Sequence, residues 1–455
     1  MKIAVIGGGI SGLAVAERLA AAGAEPIVLE EAARVGGKIG TVQKDGFLLE
    51  TGPNGFLDKE PATLALASRL DLGQGLRKAG SAAGKRWIFT RGRLRQVPAS
   101  PPAFLASDIL PALAKARVML EPLSRRVKAG VDESIASFGR RHLGKVATRD
   151  LLGAMVLGIY AGDAERLSLQ SCFPRMAELE REHRSLTLAM LRLQRARKKA
   201  GGPAGPSGTL TSVEGGLGHY TRRLGEALGD AVHLEHRVNA IVPKDGGFLL
   251  RATGAGDARE LFADRVVITT PADEAGRLLA PLDPSLGELT ASVPYAPMAV
   301  VHLAWPKARI RHPLDGFGFL LPPHEFRRIL GAMFISSIFP WRAPADHALI
   351  TVMIGGAVHP ELVGSSEQDL AEIAVSELAP IIGAQGVPSM WEVIRWDRAI
   401  PQYVVGHAAL RDEVLERVSR IPGLHLGGNA WRGIGVNDCI AAAQPLADEI
   451  LRGGR

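Results

Sequence analysis

The N-terminal hydrophobic pattern predicts a strand, a helix and a second strand in quick succession. Lys2–Ile6 is a short apolar run of the kind that forms a buried strand. Gly23 and Pro26–Glu30 predict the end of a helix and then the second strand. Between them, apolar residues recur at helical spacing, at Leu13, Ala16, Leu19 and Ala20. The pattern favours a βαβ unit with a parallel sheet.

The middle of the chain has a helical pattern. From Phe104 to about Lys199, apolar residues recur at helical spacing and basic residues stand among them. Pro111 and Pro122 are expected to interrupt the helix over 106–126. Such a segment suits a membrane surface, or equally a core-facing helical subdomain with a solvated basic face. A Gly- and Pro-rich linker is predicted over 201–208.

The later chain returns to a strand-like pattern. Four of its strands resemble successive strands of an antiparallel sheet with one apolar face. Leu320, Met333 and Met353 on that face are candidates for lining a large hydrophobic pocket, although each alone would suit an ordinary core. A final helix is predicted over 439–451, with Asn437 or Asp438 as its cap. The predicted strands after the first two are 83–90, 93–98, 232–243, 248–251, 265–271, 299–304, 316–321, 330–335 and 349–354.

Composition and charge narrow the class of protein. The chain has 455 residues, 46% of them hydrophobic and 22% charged, which indicates a globular protein of more than one domain. Cys172 and Cys439 lie far apart, so they suggest neither a metal site nor a disulfide framework, as expected in a reducing cytosol. We expect no cleavable signal peptide and no transmembrane helix. The net charge of +7 suits a basic soluble surface, an acidic substrate or anionic lipid, and nucleic acid is disfavoured because its motifs are missing.

Three glycines give the first strand and helix a specific chemistry. Gly7 permits a tight turn, Gly9 lets the backbone approach a pyrophosphate, and Gly12 lets helix and strand pack closely. The helix start then faces the phosphates, and Glu30 at the end of the second strand suits an adenosine ribose. Because 53 residues are glycine, the triplet alone is weak evidence. The surrounding strand, helix, strand and acid favour a dinucleotide site over a purely structural unit.

The segment after Glu30 indicates which dinucleotide binds. Arg34-Val-Gly36-Gly37-Lys38 provides two more glycines and two cations for a second pass along a pyrophosphate. This arrangement resembles the flavin-binding amine oxidase superfamily, in which FAD is held non-covalently or covalently by such a turn and segment. In that superfamily, a segment like Gly52-Pro53-Asn54-Gly55 passes beside the isoalloxazine. The covalent-flavin cysteine motif of monoamine oxidases is not seen, so we expect non-covalent FAD.

Seven motifs in order resemble one branch of that superfamily, the protoporphyrinogen oxidases. They span nearly the whole chain, and their combination is specific although no single one is. They are the glycine turn, Gly52-Pro-Asn, Lys85-Arg86-Trp, Gly158-Ile-Tyr-Ala-Gly-Asp163, Gly316-Phe-Gly-Phe-Leu320, Ile400-Pro-Gln-Tyr403 with Gly406-His407, and Val436-Asn-Asp-Cys-Ile440.

The resemblance implies an α/β fold, α+β overall, in three parts. A discontinuous Rossmann-like FAD-binding domain would comprise residues 1–76, 227–290 and 416–455. A mixed-sheet substrate domain would comprise 77–99, 201–226 and 291–415, and an α-helical membrane-associating domain 100–200.

The resemblance also implies an activity and a location. The enzyme would oxidise protoporphyrinogen IX to protoporphyrin IX for haem supply, with O₂ as acceptor and H₂O₂ as product. Six electrons would pass in three flavin cycles. It would be cytoplasmic and peripherally bound to the inner face of the cell membrane. Monomer and homodimer both stay open, and product hand-over to a ferrochelatase is an expectation that no residue supports.

The resemblance assigns site residues by position. FAD would contact Gly7, Gly8, Gly9, Ile10, Ser11, Gly12, Glu30, Glu31, Lys38, Gly52, Pro53, Asn54, Gly55, Val238, Trp396, Ile434, Gly435 and Val436. Substrate would contact Arg86, Ala161, Gly162, Leu320, Met333 and Met353. Arg86 matches the arginine that binds a substrate propionate, and a guanidinium suits a carboxylate with two parallel bonds. Met353 stands where the plant enzymes often have an aromatic residue. No metal ligand and no certain catalytic side chain is assigned, because the flavin carries the chemistry.

Three alternatives remain open. A related flavoprotein oxidises coproporphyrinogen III to coproporphyrin III, and its extra carboxylates would require a more basic pocket mouth. An amine oxidase or a carotenoid desaturase is more distant. A binding protein on the same fold, such as a GDP-dissociation inhibitor, would lack FAD, and the intact glycine turn argues against it.

Overall fold

A computed structural model describes residues 1–124, 127, 130–183, 185–189, 192, 208–254 and 257–452. Of the linker predicted over 201–208, only Gly208 lies within these residues, and the last part of the helical pattern predicted up to about Lys199, from 193 onward, lies outside them. The helices are α1 Ile10–Ala21, α2 Pro61–Arg69, α3 Pro101–Ala106, α4 Ala112–Met119, α5 Ile135–His142, α6 Lys145–Ala147, α7 Gly153–Tyr160, α8 Leu169–Cys172, α9 Pro174–Glu182, α10 Leu217–Leu228, α11 Ala272–Leu279, α12 Pro284–Ala291, α13 Ile335–Ile338, α14 Glu367–Ile382, α15 His407–Ser419, α16 Val436–Ala441 and α17 Ala443–Arg452.

Among the described residues the strands form five sheets, two of which position the site. The strands are β1 Lys2–Ile6, β2 Glu25–Leu29, β3 Thr41–Lys44, β4 Phe47–Glu50, β5 Phe56–Leu57, β6 Leu76–Lys78, β7 Trp87–Thr90, β8 Arg93–Gln96, β9 Leu210–Val213, β10 Val232–His233, β11 His236–Lys244, β12 Gly247–Gly254, β13 Asp257–Ala263, β14 Arg265–Ile268, β15 Tyr295–Pro306, β16 Gly318–Leu320, β17 Ile329–Met333, β18 His347–Gly355, β19 Met390–Pro401 and β20 Leu424–Leu426.

A five-stranded parallel sheet forms the nucleotide-binding part of the fold. Its strand order is β10-β2-β1-β14-β20, so the N-terminal βαβ unit is completed by strands from much later in the chain. Ile3 and Val5 pack on α1, α16 and α17, whereas Ala4 and Ile6 face α11 and α15. Both faces are therefore covered by helices, as a parallel sheet requires. The Rossmann-like, discontinuous architecture of the prediction is confirmed.

A seven-stranded mixed sheet forms the second layer. Its order is β19-β15-β18-β17-β16-β7-β8, and every pair is antiparallel except β7 with β16. Helix α14 covers one face, where Val301, Phe319 and Ala332 are buried. The opposite face carries the predicted substrate residues.

Helices α3 to α9 follow β8, and α7 packs on that opposite face. A Cβ at Gly158 of α7 would lie 2.9 Å from a methyl carbon of Leu320, so helix and sheet are in close contact. Leu105, Leu113, Met119, Leu120 and Leu123 are exposed. Within the described residues, no helix combines the length and the apolar character needed to span a bilayer.

Two sequence predictions of secondary structure were wrong. The strand predicted over 232–243 is two strands, because Glu235 at φ +56° turns the chain between β10 and β11. The final helix begins at Val436 rather than Cys439 and is divided at Ala442 into α16 and α17. Gly435 occupies the N-cap, and Asp438 at the third helical position accepts a hydrogen bond from its N–H at 3.0 Å. The proposed domain boundaries stay predictions.

Candidate cofactor and substrate site

The predicted glycine turn has the geometry of a phosphate cradle. Gly7 has φ +104°, and a Cβ at Gly12 would lie 2.0 Å from the Gly7 carbonyl oxygen, so both positions need glycine. A Cβ at Gly9, by contrast, has no described atom within 4 Å. Gly9 is the N-cap of α1 and has no side chain to cap it, and Ile10 and Ser11 at its first positions are uncharged. The positive end of the helix thus faces an open space in front of Gly9.

The second glycine pair lies directly beside this turn. The Gly36 N–H donates to the Gly8 carbonyl at 2.8 Å, and a Cβ at Gly37 would lie 3.3 Å from the Gly9 Cα. The Arg34 guanidinium donates to the carbonyls of Val35, Gly37 and Ile39. Arg34 therefore braces the turn that presents these glycines.

Glu30 lies at the other side of the turn. One carboxylate oxygen accepts the Gly8 N–H at 2.6 Å and the other accepts the Ala32 N–H at 2.9 Å. Glu31 is exposed, 3.9 Å from Arg237. Val238 is buried near Glu30, because the His236 N–H at the start of the same strand donates to the Glu30 carbonyl at 2.8 Å. The structure brings Gly8, Glu30, Glu31 and Val238 together.

Lys38 connects the glycines to the predicted isoalloxazine segment. The Thr51 hydroxyl donates to the Lys38 carbonyl at 3.0 Å, and a Cβ at Gly52 would lie 2.5 Å from that oxygen. The Trp396 indole N–H donates to the Thr51 carbonyl at 2.6 Å. The Lys38 ammonium lies 5.2 Å from the centre of the Tyr295 ring, and burial lowers its pKa to about 8.

The C-terminal segment closes the same site. The Asn437 amide donates to the Leu57 carbonyl and accepts from the Thr63 hydroxyl, each at 2.8 Å. These bonds tie the start of α16, just after Ile434 and Gly435, to Leu57 of β5 and Thr63 of α2. Strand β5 directly follows the Gly52–Gly55 segment, and both Ile434–Val436 and Gly52–Gly55 are half-buried. Burial raises the pKa of Cys439, one turn farther on, to about 11, so its thiol is neutral at pH 7.

Two rows of residues cross the face of the mixed sheet that lies opposite α14, and several of them are buried. Directly paired residues share a face, and residues two apart along a strand do so too. Registers place Gly318, Met333, Thr351, His302 and Glu392 in the first row, and Ile88, Leu320, Gly331, Met353 and Val300 in the second. Arg86 precedes Ile88 by two positions, which aligns it with the first row.

Four of the six predicted substrate residues are thus gathered on one face of the sheet. Leu320, Met333 and Met353 are half-buried, and the Leu320 side chain packs over Gly331, where a Cβ would lie 3.2 Å from a Leu320 methyl carbon. Arg86 is exposed, with its guanidinium 5.8 Å from the centre of the Phe317 ring. Among the described residues, no carboxylate lies within salt-bridge distance of Arg86, whereas its neighbour Lys85 pairs with Asp315 at 2.6 Å.

The remaining two predicted substrate residues end helix α7. Ala161 has φ +47° and is buried with Met353 and Leu157. A Cβ at Gly162 would lie 2.4 Å from the Gln402 side-chain oxygen, so protein atoms already enclose Gly162. Ala161 therefore lies beside the substrate face, and Gly162 packs against the segment that follows β19. The roles of all these residues stay predictions.

Sequence reasoning missed a buried polar network beneath the Gly52–Gly55 segment. Glu50 and Arg342 form a fully buried ion pair at 2.6 Å. Burial raises the pKa of the Glu50 carboxyl and lowers that of the Arg342 guanidinium. His302 bonds to the Glu50 carbonyl at 3.1 Å, and burial lowers its pKa to about 4. The sequence signal for Glu50 was its position just before Gly52, but Arg342 stands in no motif.

These residues fit a flavin dinucleotide. The open space before Gly9 suits a pyrophosphate, Glu30 suits a ribose, and the Gly52–Gly55 and Ile434–Val436 segments form a half-buried edge for a flat ring. That edge adjoins the first row of the sheet face at Met333, since the Asn54 amide nitrogen lies 3.9 Å from the Met333 sulfur. The described residues hold no group of three or more His, Cys, Asp or Glu arranged for a metal ion.

Comparisons with known proteins agree with this geometry. A family model for flavin-containing amine oxidoreductases matches residues 10–451. Coproporphyrinogen III oxidase of Propionibacterium freudenreichii subsp. freudenreichii is 31% identical over 99% of this chain and 90% of the relative. Chloroplastic protoporphyrinogen oxidase of Nicotiana tabacum is 30% identical over 98% of this chain and 84% of the relative. A solved structure from Exiguobacterium sp. 255-15, provisionally named a protoporphyrinogen oxidase, is 26% identical with a TM-score of 0.85, covering 99% and 98% of the two chains.

Proposed function

This chain belongs to the family of flavin-containing amine oxidoreductases and uses FAD, and from that premise we propose that it oxidises protoporphyrinogen IX to protoporphyrin IX. The observation that carries the proposal is the apolar group Leu320, Met333 and Met353 on one face of the sheet, which adjoins the flavin edge through Met333 and lies in rows that end at Arg86 and Ile88. A flat macrocycle with acidic side chains matches an apolar surface with a cation at its margin. The full-length relatives named porphyrinogen oxidases support the same substrate class.

The protein residues have binding and orienting roles in this reaction. The Gly7–Gly12 turn and Gly36–Gly37 hold the pyrophosphate, and Gly52–Gly55 with Ile434–Val436 hold the ring. When bound, FAD supplies the acceptor for a hydride from a bridge carbon of the substrate. Leu320, Met333 and Met353 contact the macrocycle and keep water from it.

Arg86 selects the orientation of the macrocycle. Its guanidinium binds one propionate through two parallel hydrogen bonds, which fixes which bridge carbon faces the cofactor. Complete oxidation removes six electrons in three turns, and we propose O₂ as the acceptor with H₂O₂ as its product.

Protoporphyrinogen is proposed over coproporphyrinogen because of the charge on the substrate face. Arg86 is the cation aligned with the first row, and Lys85 beside it is neutralised by Asp315. Coproporphyrinogen III carries more carboxylates, which favour a more basic pocket mouth. The relatives of both names are about equally similar to this chain, so the substrate face has to distinguish them.

Anaerobic mixing of the purified protein with each porphyrinogen tests the proposal. We expect protoporphyrinogen IX to bleach the flavin band and to produce porphyrin fluorescence. Arg86→Ala should raise KM for protoporphyrinogen at least about tenfold, the loss expected for a charge-assisted bidentate bond. Arg93→Ala, in the neighbouring strand β8, is the control. If coproporphyrinogen III bleached the flavin band and protoporphyrinogen IX did not, coproporphyrinogen III would be the substrate. An unchanged KM in Arg86→Ala would show that Arg86 is not part of the substrate site.

We also propose that the protein lies on the inner face of the cell membrane, in the cytoplasm. The support is a set of five exposed hydrophobic side chains, which we call the apolar surface: Leu105, Leu113, Met119, Leu120 and Leu123. Lys115 in α4, whose ammonium bonds to the Leu105 and Ser107 carbonyls, adds positive charge beside it. An apolar surface with basic neighbours favours the interface of an anionic bilayer. The apolar product is then released where it dissolves.

A further inference from the structure

Arg342 is buried between the two layers that meet at the site. One terminal nitrogen donates to the Glu50 carboxylate at 2.6 Å, the Asn54 carbonyl at 2.9 Å and the Ser212 hydroxyl at 2.7 Å. The other terminal nitrogen donates to the Asn54 side-chain oxygen at 3.1 Å. Both carbonyl and side chain of Asn54 are therefore held by one guanidinium fork.

Asn54 in turn connects two predicted binding elements. It belongs to the Gly52–Gly55 segment at the flavin edge, and its amide nitrogen lies 3.9 Å from the sulfur of Met333 on the substrate face. Because Arg342 holds the opposite end of the same amide, its orientation decides where the amide nitrogen points. The chain Arg342, Asn54, Met333 thus runs from the protein interior to the substrate surface.

The hairpin that precedes this segment is fixed to the same row of the sheet. His302 bonds to the Glu50 carbonyl at 3.1 Å and to the Thr351 hydroxyl at 2.9 Å. At the end of the row, Glu392 pairs with Lys44 of β3 at 2.6 Å. The hairpin β3–β4 therefore covers the Thr351, His302 and Glu392 end of the row, and the Met333 and Arg86 end is left for a ligand.

We propose that Arg342, with Glu50 as its counter-ion, is a positioning residue that fixes Asn54 and the Gly52–Gly55 segment at a set distance from Met333, so that the flavin edge and the macrocycle meet in register. This role rests on the proposed function, because it assigns the sheet face to the substrate. It adds a residue that touches neither cofactor nor substrate and acts through Asn54.

The energetics of a buried ion pair argue for such a role. Removing both charges of a buried pair in favour of uncharged groups of similar size is often neutral or stabilising, whereas removing one leaves a charge unpaired. Stability alone therefore does not require Arg342. The fork geometry does require it, since a lysine in its place would keep a charge near Glu50 but could not bind both oxygens of Asn54.

The central test compares the flavin-loaded double variant Glu50→Gln/Arg342→Met with the flavin-loaded wild type. The double variant leaves neither member of the buried ion pair unpaired, so we expect it to fold and to bind FAD. We expect an altered visible flavin spectrum, a shifted flavin reduction potential, and a kcat at least about tenfold lower with a smaller change in KM, since small displacements of reacting groups are costly. Arg342→Lys should reproduce these changes.

Asn54→Ala tests whether Arg342 acts through Asn54. We expect the triple variant with Asn54→Ala to be no more impaired than Asn54→Ala alone. The control is Glu377→Gln/Arg328→Met on the α14 side of the same sheet, which removes the Glu377–Arg328 pair at 3.2 Å together with the Glu377–Arg327 pair at 3.1 Å. It should leave the flavin spectrum and potential unchanged.

An unchanged spectrum, potential and kcat in a folded, flavin-loaded double variant would overturn the positioning role. The positioning role would also be overturned if the effects of Asn54→Ala and of the double variant were fully additive in the triple variant. If the wild type oxidised no porphyrinogen while the double variant still shifted the spectrum and potential, the proposed function would fail and the control of the flavin segment by Arg342 would stand.

Discussion

Gly9 and Gly12 stand three residues apart and are glycines for different reasons. Gly12 is needed by the fold, because its Cβ would collide with the Gly7 carbonyl. Gly9 has room for a Cβ and an ordinary φ of −70°, so the fold does not require glycine there. Glycine is required at this position only if a ligand, such as the proposed pyrophosphate, lies against the backbone.

Alanine at each position should separate the two requirements. Gly9→Ala should leave the unfolding midpoint of the flavin-free protein nearly unchanged and weaken FAD at least about tenfold, because the methyl group enters the phosphate space. Gly12→Ala should lower stability by about 1–3 kcal/mol or more, as overpacking does. Gly84→Ala, also at an open position, is the matched control. Full flavin affinity in Gly9→Ala would place the pyrophosphate elsewhere.

The burial of Lys38 makes the stability of the flavin-free protein depend on pH. Burial lowers its pKa from 10.5 to about 8, so the folded state disfavours its charge. The cost, up to about 3 kcal/mol, is fully present below pH 8 and disappears as pH rises to 10.5, where the unfolded chain also loses the proton. We expect flavin-free Lys38→Met to be more stable than wild type at pH 7 and its advantage to shrink toward pH 10. Urea unfolding across this range measures it, and a constant difference would contradict the burial of a charged Lys38.

At the residue scale, the sequence identified what depends on neighbours along the chain. Gly7, Gly9 and Gly12 form one local turn, and their roles follow from one another. Arg342 and Glu50 are separated by 292 positions, and an arginine in no motif has no local signal of burial. Only the docking of the hairpin on the sheet brings them together.

Strand β19 ends in a segment that joins three parts of the molecule. Gln402 donates to the Tyr160 carbonyl at 2.8 Å in the helical part. The Tyr403 hydroxyl donates to the Asn429 carbonyl at 2.5 Å and accepts the Gly433 N–H at 2.9 Å in the nucleotide-binding part. The strand thus sets the position of the chain that leads into Ile434–Val436.

Tyr403→Phe should therefore affect the cofactor as well as stability. Loss of the hydroxyl leaves the half-buried Gly433 N–H without this partner and should cost about 1 kcal/mol. FAD affinity should fall with it, because Gly433 loses its anchor. Tyr160→Phe removes a comparable buried hydroxyl, bonded to the Cys172 carbonyl at 2.9 Å, and should cost stability without weakening FAD. Equal FAD affinity in both variants would contradict the anchoring role.

At the element scale, alternation predicted the strands better than capping predicted the last helix. The four antiparallel strands that were expected are present, but β15 and β18 are buried on both faces, because α14 covers one side of the sheet and the β3–β4 hairpin and α7 cover the other. The start of α16 was misplaced because Asp438 suits an N-cap but serves instead three positions into the helix. The Asn437 side chain hydrogen-bonds to Leu57 and Thr63 instead of capping the helix, and these residues lie far away in the sequence, so no local pattern could predict the contacts.

At the scale of the whole molecule, the apolar surface predicts binding to anionic bilayers. Leu113 is 87% exposed and Leu123 72% exposed, so polar replacement there should not disturb the core. Leu113→Gln/Leu123→Gln should reduce co-sedimentation with anionic phospholipid vesicles at least about tenfold while activity in solution is kept. Val387→Gln, 77% exposed in another part of the chain, is the control. Undiminished sedimentation of the double variant would exclude the apolar surface as the contact.

The parallel sheet has a consequence for synthesis. Its edge strand β20 comes from residues 424–426 and pairs with β14, and in our proposal Ile434–Val436 completes the flavin edge that Gly52–Gly55 begins. A ribosome releases the glycine turn first and this closing wall only after some 430 residues, at a pace of roughly 5–20 residues per second. The nascent chain therefore spends most of its synthesis with half a cofactor site, and flavin loading belongs to the final seconds of translation or later.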